Sequence, residues 1–194
     1  MRPLDVSEIL NIADYELTRE TFRPRVMAIK ARRRIALGPH LTLLFENRET
    51  VRYQIQEMMR IERIVKPEDI VHEVETYNEL LPSTGELSGC LLIEYEDPEE
   101  RQVKLVELLG LENHVWLNVG DLPPSKVRLD DRQISPHRIS AVQYFKIPLT
   151  PNQMGQWEEA GRTGQIRLVA DHPSYHYEQI LTPAQIQEVS SDFQ

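Results

Sequence analysis

The spacing of apolar residues changes period inside one run, Arg32 to Val65, and that change limits what the chain can fold into. Gly38-Pro39 breaks a short apolar segment, and such pairs mark turns. Leu41, Leu43 and Phe45 then alternate with Thr42, Leu44 and Glu46, the period of a half-buried strand. After Asn47, the residues Val51, Ile55, Met58, Met59 and Val65 recur at helical spacing. The pattern predicts a β-hairpin feeding a helix. At about 100° per residue, Glu62 falls in the middle of that helix's apolar stripe. A carboxylate facing a core must be paired, hydrogen-bonded or protonated. Glu62 is therefore expected to be either half of a structural ion pair, at a stripe edge that meets water, or a ligand or acid/base group in a polar pocket. Arg25 and Arg33 flank the side that carries Phe22, Val26 and Ile29, which makes them its first candidate partners.

The rest of the chain is punctuated by proline, glycine and capping residues. A short helix is expected over Leu4 to Asn11, then a charged helical segment that Pro24 kinks or restarts. Lys66-Pro67 opens another helix with Ile70, Val71, Val74, Tyr77 and Leu81 on one side. Asn78 projects beside Val71 and is a pocket candidate near Glu62, since a buried amide needs partners. Beyond the loop Pro82 to Gly85 the period becomes mostly two. Strands are expected over Gly89 to Glu96, His114 to Val119, Ile139 to Leu149, Gly164 to Ala170 and Tyr175 to Leu181. Asp97-Pro98 starts a helix. Leu149-Thr150-Pro151-Asn152-Gln153 is echoed by Leu181-Thr182-Pro183-Ala184-Gln185, each a predicted capping box with proline at the first helical position.

Composition excludes several classes. The chain has 194 residues, one cysteine and a formal net charge of −9. A lone cysteine rules out an internal disulfide framework and an all-cysteine metal site; with no adjacent basic group, Cys90 reads as inert packing. The acidic balance argues against a general nucleic-acid binder. Yet Arg19 to Arg34 holds seven bases against one acid, while Lys66 to Asp121 carries a net −11. The basic block suits phosphate, anionic lipid or an acidic partner, and equally the chain's own acidic half. No apolar run reaches the length of a membrane span and no signal-peptide pattern opens the chain, so a cytoplasmic protein is expected.

Two constellations could carry chemistry. Glu46, Asn47, Arg48, Glu49 and Thr50 crowd a strand-to-helix junction that leads to Gln54, Glu57 and Glu62. Asn47 or Thr50 is the expected cap, with Glu46 or Arg48 as a charged partner, and such a junction can present groups to a ligand. Asp171, His172 and His176 bracket a turn and have metal-ligand chemistry, although an extended chain would hold the two rings apart. No phosphate-binding glycine loop, dinucleotide fingerprint, His-Glu-x-x-His or Gly-x-Ser-x-Gly is present.

The segments RRRIALGPHLTLLFENRETVRYQIQEM, YNELLP, ISAVQY and DHPSY together resemble the bacterial family catalogued as domain of unknown function 3501, over nearly the whole chain. That family has no established activity and no assigned site residues. Its genes stand beside rubrerythrin-like and heterodisulfide-reductase-like iron–sulfur proteins, which implies a link to peroxide defence or electron transfer. Pro24 departs from the family's pattern, which implies a helix that runs through with a kink.

The expectation is an α+β protein. Residues 1–81 form a mainly helical part with the hairpin, and 85–194 a mainly antiparallel sheet or partial barrel with short helices. The leading function is a non-catalytic accessory protein for a cytoplasmic redox or iron–sulfur partner; a homo-oligomer is also open. The alternatives are a metal-dependent enzyme using Glu62, Glu57 and Glu46 around Asn78, and an anion or nucleic-acid binder acting through Arg19 to Arg34.

Overall fold

The computed structural model describes residues 1–193. The fold is α+β, with six α-helices and two antiparallel sheets among the described residues. The expected opening helix is a single 3-10 turn, Val6–Glu8, which Asp5 and Glu8 close as a capping box. Helix α1 then spans Ile12–Arg33 with Pro24 inside it. A proline in a helix interior costs about 3 kcal/mol. Tyr15 is buried before Pro24, and Val26 and Arg33 after it, so tertiary packing holds both halves in one helix.

The hairpin forms as the sequence predicts, with β1 over Arg34–Leu37 and β2 over Leu41–Phe45. Gly38 turns between them at φ +75°, and a Cβ there would come within 2.5 Å of the Tyr177 ring. The Tyr175 hydroxyl donates to Leu37 O at 2.7 Å and accepts from the backbone N–H of His40 and of Leu41. One phenol thus ties the turn to the second sheet. Helices α2 (Arg48–Glu62) and α3 (Pro67–Asn78) follow, then β3 (Glu86–Ile93). β3 pairs with β2 on one side and with β7 (Val142–Pro148) on the other, and β7 pairs with β6 (Arg128–Leu129). One sheet therefore draws strands from both sides of the Pro82–Gly85 loop.

The second sheet has the order β5 (Ser125–Lys126), β4 (Val115–Val119), β8 (Ile166–His172), β9 (Tyr175–Ile180). Among the described residues neither sheet closes into a barrel. Helices α4 (Pro98–Glu107), α5 (Pro151–Arg162) and α6 (Pro183–Ser190) cover the core, and α5 and α6 both start on the predicted threonine–proline–glutamine boxes.

Alternation along the strands decides which face each side chain meets. Leu43, Phe45, Leu91 and Phe145 join Leu117, Leu168 and Trp157 in the main core. The opposite face of the larger sheet is covered by α2 and α3 through Val51, Ile55, Met59 and Val74, and by Leu80 and Leu81 in the turn after α3. All five residues of β2 are consequently buried. No helix among the described residues is long and apolar enough to cross a membrane.

Candidate functional site

The face under α2 and α3 is apolar except at one end. Register places Leu44, Cys90 and Tyr144 side by side across β2, β3 and β7. Glu46, two residues beyond Leu44, continues that face where β2 ends. Its backbone is fixed on both sides: its N–H donates to Ser88 O at 2.9 Å, and its carbonyl accepts from Arg33 at 3.2 Å. The next residue, Asn47, caps α2 reciprocally with Thr50, so the chain turns immediately after Glu46.

The Glu46 side chain, by contrast, has almost nothing to bond. It is 4% exposed. Oε2 has no hydrogen-bond partner, and Oε1 meets only the Cys90 thiol, at 4.0 Å. Among the described residues no cation lies within ion-pair distance of it, and a thiol is a weak donor. Lys30 from α1 is a base whose charge acts on this corner. It forms no ion pair among the described residues and lies 5.7 Å above the Tyr53 ring. Gln54 sits against the Tyr77 hydroxyl. Lys30, Gln54, Tyr77, Cys90 and Tyr144 are each partly exposed, while Glu46 is buried.

Burial pushes the Cys90 thiol up to about 12, the Glu46 charge adds to the rise, and Lys30 opposes it. Burial likewise raises the Tyr77 and Tyr144 phenols. At neutral pH the site therefore holds a thiol rather than a thiolate, and neutral phenols. A donor brought to Glu46 would act in a weakly screened corner.

The other sequence candidates disperse. Glu62 is exposed: α2 ends there, with Arg63 at φ +56° as its cap, so the last turn projects past the sheet that covers the stripe. Val65, beyond the helix end, is exposed with it. Arg25 pairs with Glu49 at 2.5 Å rather than with Glu62. Arg33, fully buried, bonds Asp192 and the carbonyls of Phe45, Glu46 and Glu188. Arg48 holds Glu8 at 2.8 Å and the Arg2 carbonyl. Glu57 joins α1 to α2, accepting from Arg19 twice and from the Tyr15 hydroxyl at 2.6 Å. Asn78 exchanges two hydrogen bonds with the Leu4 backbone. Of the predicted residues the structure leaves Glu46 and Gln54 beside one another's neighbours, while Glu57, Glu62 and Asn78 do not surround a common point with Glu46.

The histidine turn also separates. His172 is buried, with Nε2 3.0 Å from Leu109 O, whereas Asp171 and His176 are a cross-strand pair on the exposed face. Asp171 instead meets His114 Nδ1 at 3.0 Å. Among the described residues no group of three His, Cys, Asp or Glu side chains is placed to hold a metal ion. Cys90 and Tyr144 are absent from the sequence-based candidates, and Lys30 entered only as part of the basic block Arg19 to Arg34. Period-two alternation around Cys90 and Tyr144 was a usable signal for their common orientation, but their pairing across β3 and β7 was not.

The family described as Protein of unknown function (DUF3501) matches residues 3–193. A solved structure from Burkholderia pseudomallei K96243, described as a novel protein of unknown function, is 30% identical, with 100% of each chain covered and a TM-score of 0.91. No curated protein matches the chain.

Proposed function

We propose, on the premise that the chain belongs to the DUF3501 family, that it is a binding protein rather than a catalyst. A small ligand offers a positive or hydrogen-bond-donating group to Glu46 at the corner where β2 ends, beside Cys90. One observation carries this reading: a buried carboxylate with a free oxygen and no cation beside it. Such a group costs several kcal/mol unless something pairs with it. The neutral thiol and phenols around it support binding over chemistry.

The finer reading makes the protein an accessory to a cytoplasmic redox or iron–sulfur partner. It rests on the genes that the resemblance sets beside this family. With Cys90 held as a thiol, electron transfer falls to the partner.

Native mass spectrometry of protein purified without chelator tests the binding reading, with ferrous ion and putrescine added separately as cationic probes. The wild-type chain is expected to carry a small adduct, co-purified or added, that Glu46→Gln loses while remaining folded. An adduct kept equally by Glu46→Gln, or none in either protein with both probes, contradicts the reading.

A further inference from the structure

A second concavity has the opposite electrostatic character. It lies between α4 and the loop from Gln133 to Ala141, with a volume of about 550 Å³. Arg101, Arg132 and Arg138 line it, and no aspartate or glutamate does. Arg132 is engaged, by Asp130 and Glu79 at 2.7 Å each. Arg101 and Arg138 are not: among the described residues neither has a carboxylate within ion-pair distance. Arg101 reaches only the Tyr95 carbonyl at 3.3 Å, and Arg138 only the Gln102 side-chain oxygen. Two uncommitted guanidiniums facing one cleft are notable in a chain of net charge −9.

The cleft is also built rather than incidental. Its wall is pinned by Gln143, which is fully buried and donates to the carbonyls of Gln133 and Ser140 at 3.1 and 3.0 Å. Ile134 and Ile139 close the loop as a β-bridge. Ser135 Oγ accepts from the Arg138 N–H at 3.1 Å and donates to the Arg138 carbonyl at 2.8 Å, which fixes the arginine's backbone. Ile134 and Ala141, both partly exposed, give the concavity an apolar surface beside its charge.

We propose that this cleft binds a phosphate-bearing small molecule of mononucleotide size. Arg101 and Arg138 take the phosphate oxygens, and the ligand's apolar part lies on Ile134 and Ala141. Guanidinium forks match phosphate geometry, and the volume falls within the range of small-ligand sites. A long nucleic acid is disfavoured because α4, one wall of the cleft, carries Glu99, Glu100 and Glu107 and the chain is net −9. The inference is independent of the Glu46 site.

Isothermal titration calorimetry with ADP, pyrophosphate and adenosine tests it, on the wild-type chain and on the double variant R101Q/R138Q. Both arginines are at the surface, so the variant is expected to keep the wild-type circular dichroism and melting temperature. The expected result is ADP binding at a Kd of about 1 mM or tighter. Pyrophosphate binds more weakly, adenosine gives no saturation, and R101Q/R138Q loses about ten-fold or more in ADP affinity. Absence of ADP saturation in the wild type, or equal affinity in R101Q/R138Q, overturns the proposal. So does a single-stranded RNA that binds more tightly than ADP and is lost in R101Q/R138Q, because the site would then be a nucleic-acid contact.

Discussion

Glu46 and Glu62 show how a single residue's neighbourhood escapes its spacing. Glu62 falls on an apolar face by period but stands on the last turn of α2, beyond the sheet that would cover it, whereas Glu46 falls on the alternate face of β2, which is buried as well. Helical phase gives an angle about the axis and says nothing of how far the covering partner extends. Cys90 carries a direct consequence of its burial, to which the Glu46 charge adds. With its thiol pushed up to about 12, only about one part in ten thousand is thiolate near pH 8. Native alkylation by iodoacetamide is therefore expected to be about a hundred-fold slower or more than that of the urea-unfolded chain, and faster in Glu46→Gln than in the wild type. A native rate close to the unfolded rate contradicts that environment. Glu57 supplies a pH-dependent test. Hydrogen bonds from Arg19 hold its carboxyl below the ordinary value and outweigh desolvation. A folded value below the unfolded one contributes stability above about pH 4.5 that is lost as pH falls through the folded value. Glu57→Gln should thus cost about 2 kcal/mol at neutral pH, with the gap to wild type narrowing near pH 3.5, read from urea unfolding at both pH values.

Elements were legible where punctuation is local. Gly38 marks a turn that needs positive φ, Asp97 and Pro98 start α4, and both threonine–proline–glutamine echoes form capping boxes. Those signals act within four residues, so sequence alone carries them. Pro24 is the exception: its local rule favours a break, and packing of Tyr15, Val26 and Arg33 overrides it. Because the two boxes sit on separate helices, their contributions are expected to add. Thr150→Ala and Thr182→Ala should each cost about 1 kcal/mol, and the double variant about 2 kcal/mol, in urea unfolding. A double variant no worse than either single one would show that one of the caps is not formed.

The whole molecule depends on contacts that no local pattern encodes. The larger sheet joins β2 to β3 and β3 to β7 across long connections, and Arg33 on α1 meets Asp192 near the end of the chain. Arg33 gathers α1, the end of β2 and the residues after α6 at one buried point. Asp192→Ala leaves that guanidinium buried without its carboxylate and should cost about 3–5 kcal/mol; a loss below about 1 kcal/mol, measured by calorimetry or urea unfolding, would show the pair to be expendable. The candidate site has the same non-local origin, since Glu46, Cys90 and Tyr144 come from three strands. The sequence pointed to the Glu46 junction but not to the groups that surround it.

The most direct test of the binding account compares ligand-free wild type with Glu46→Gln by urea unfolding at neutral pH. A carboxylate kept unpaired for a ligand weakens the empty protein, so Glu46→Gln is expected to be more stable by about 1–2 kcal/mol. A Glu46→Gln variant less stable than wild type would mean that Glu46 already has a structural partner, and would contradict the account.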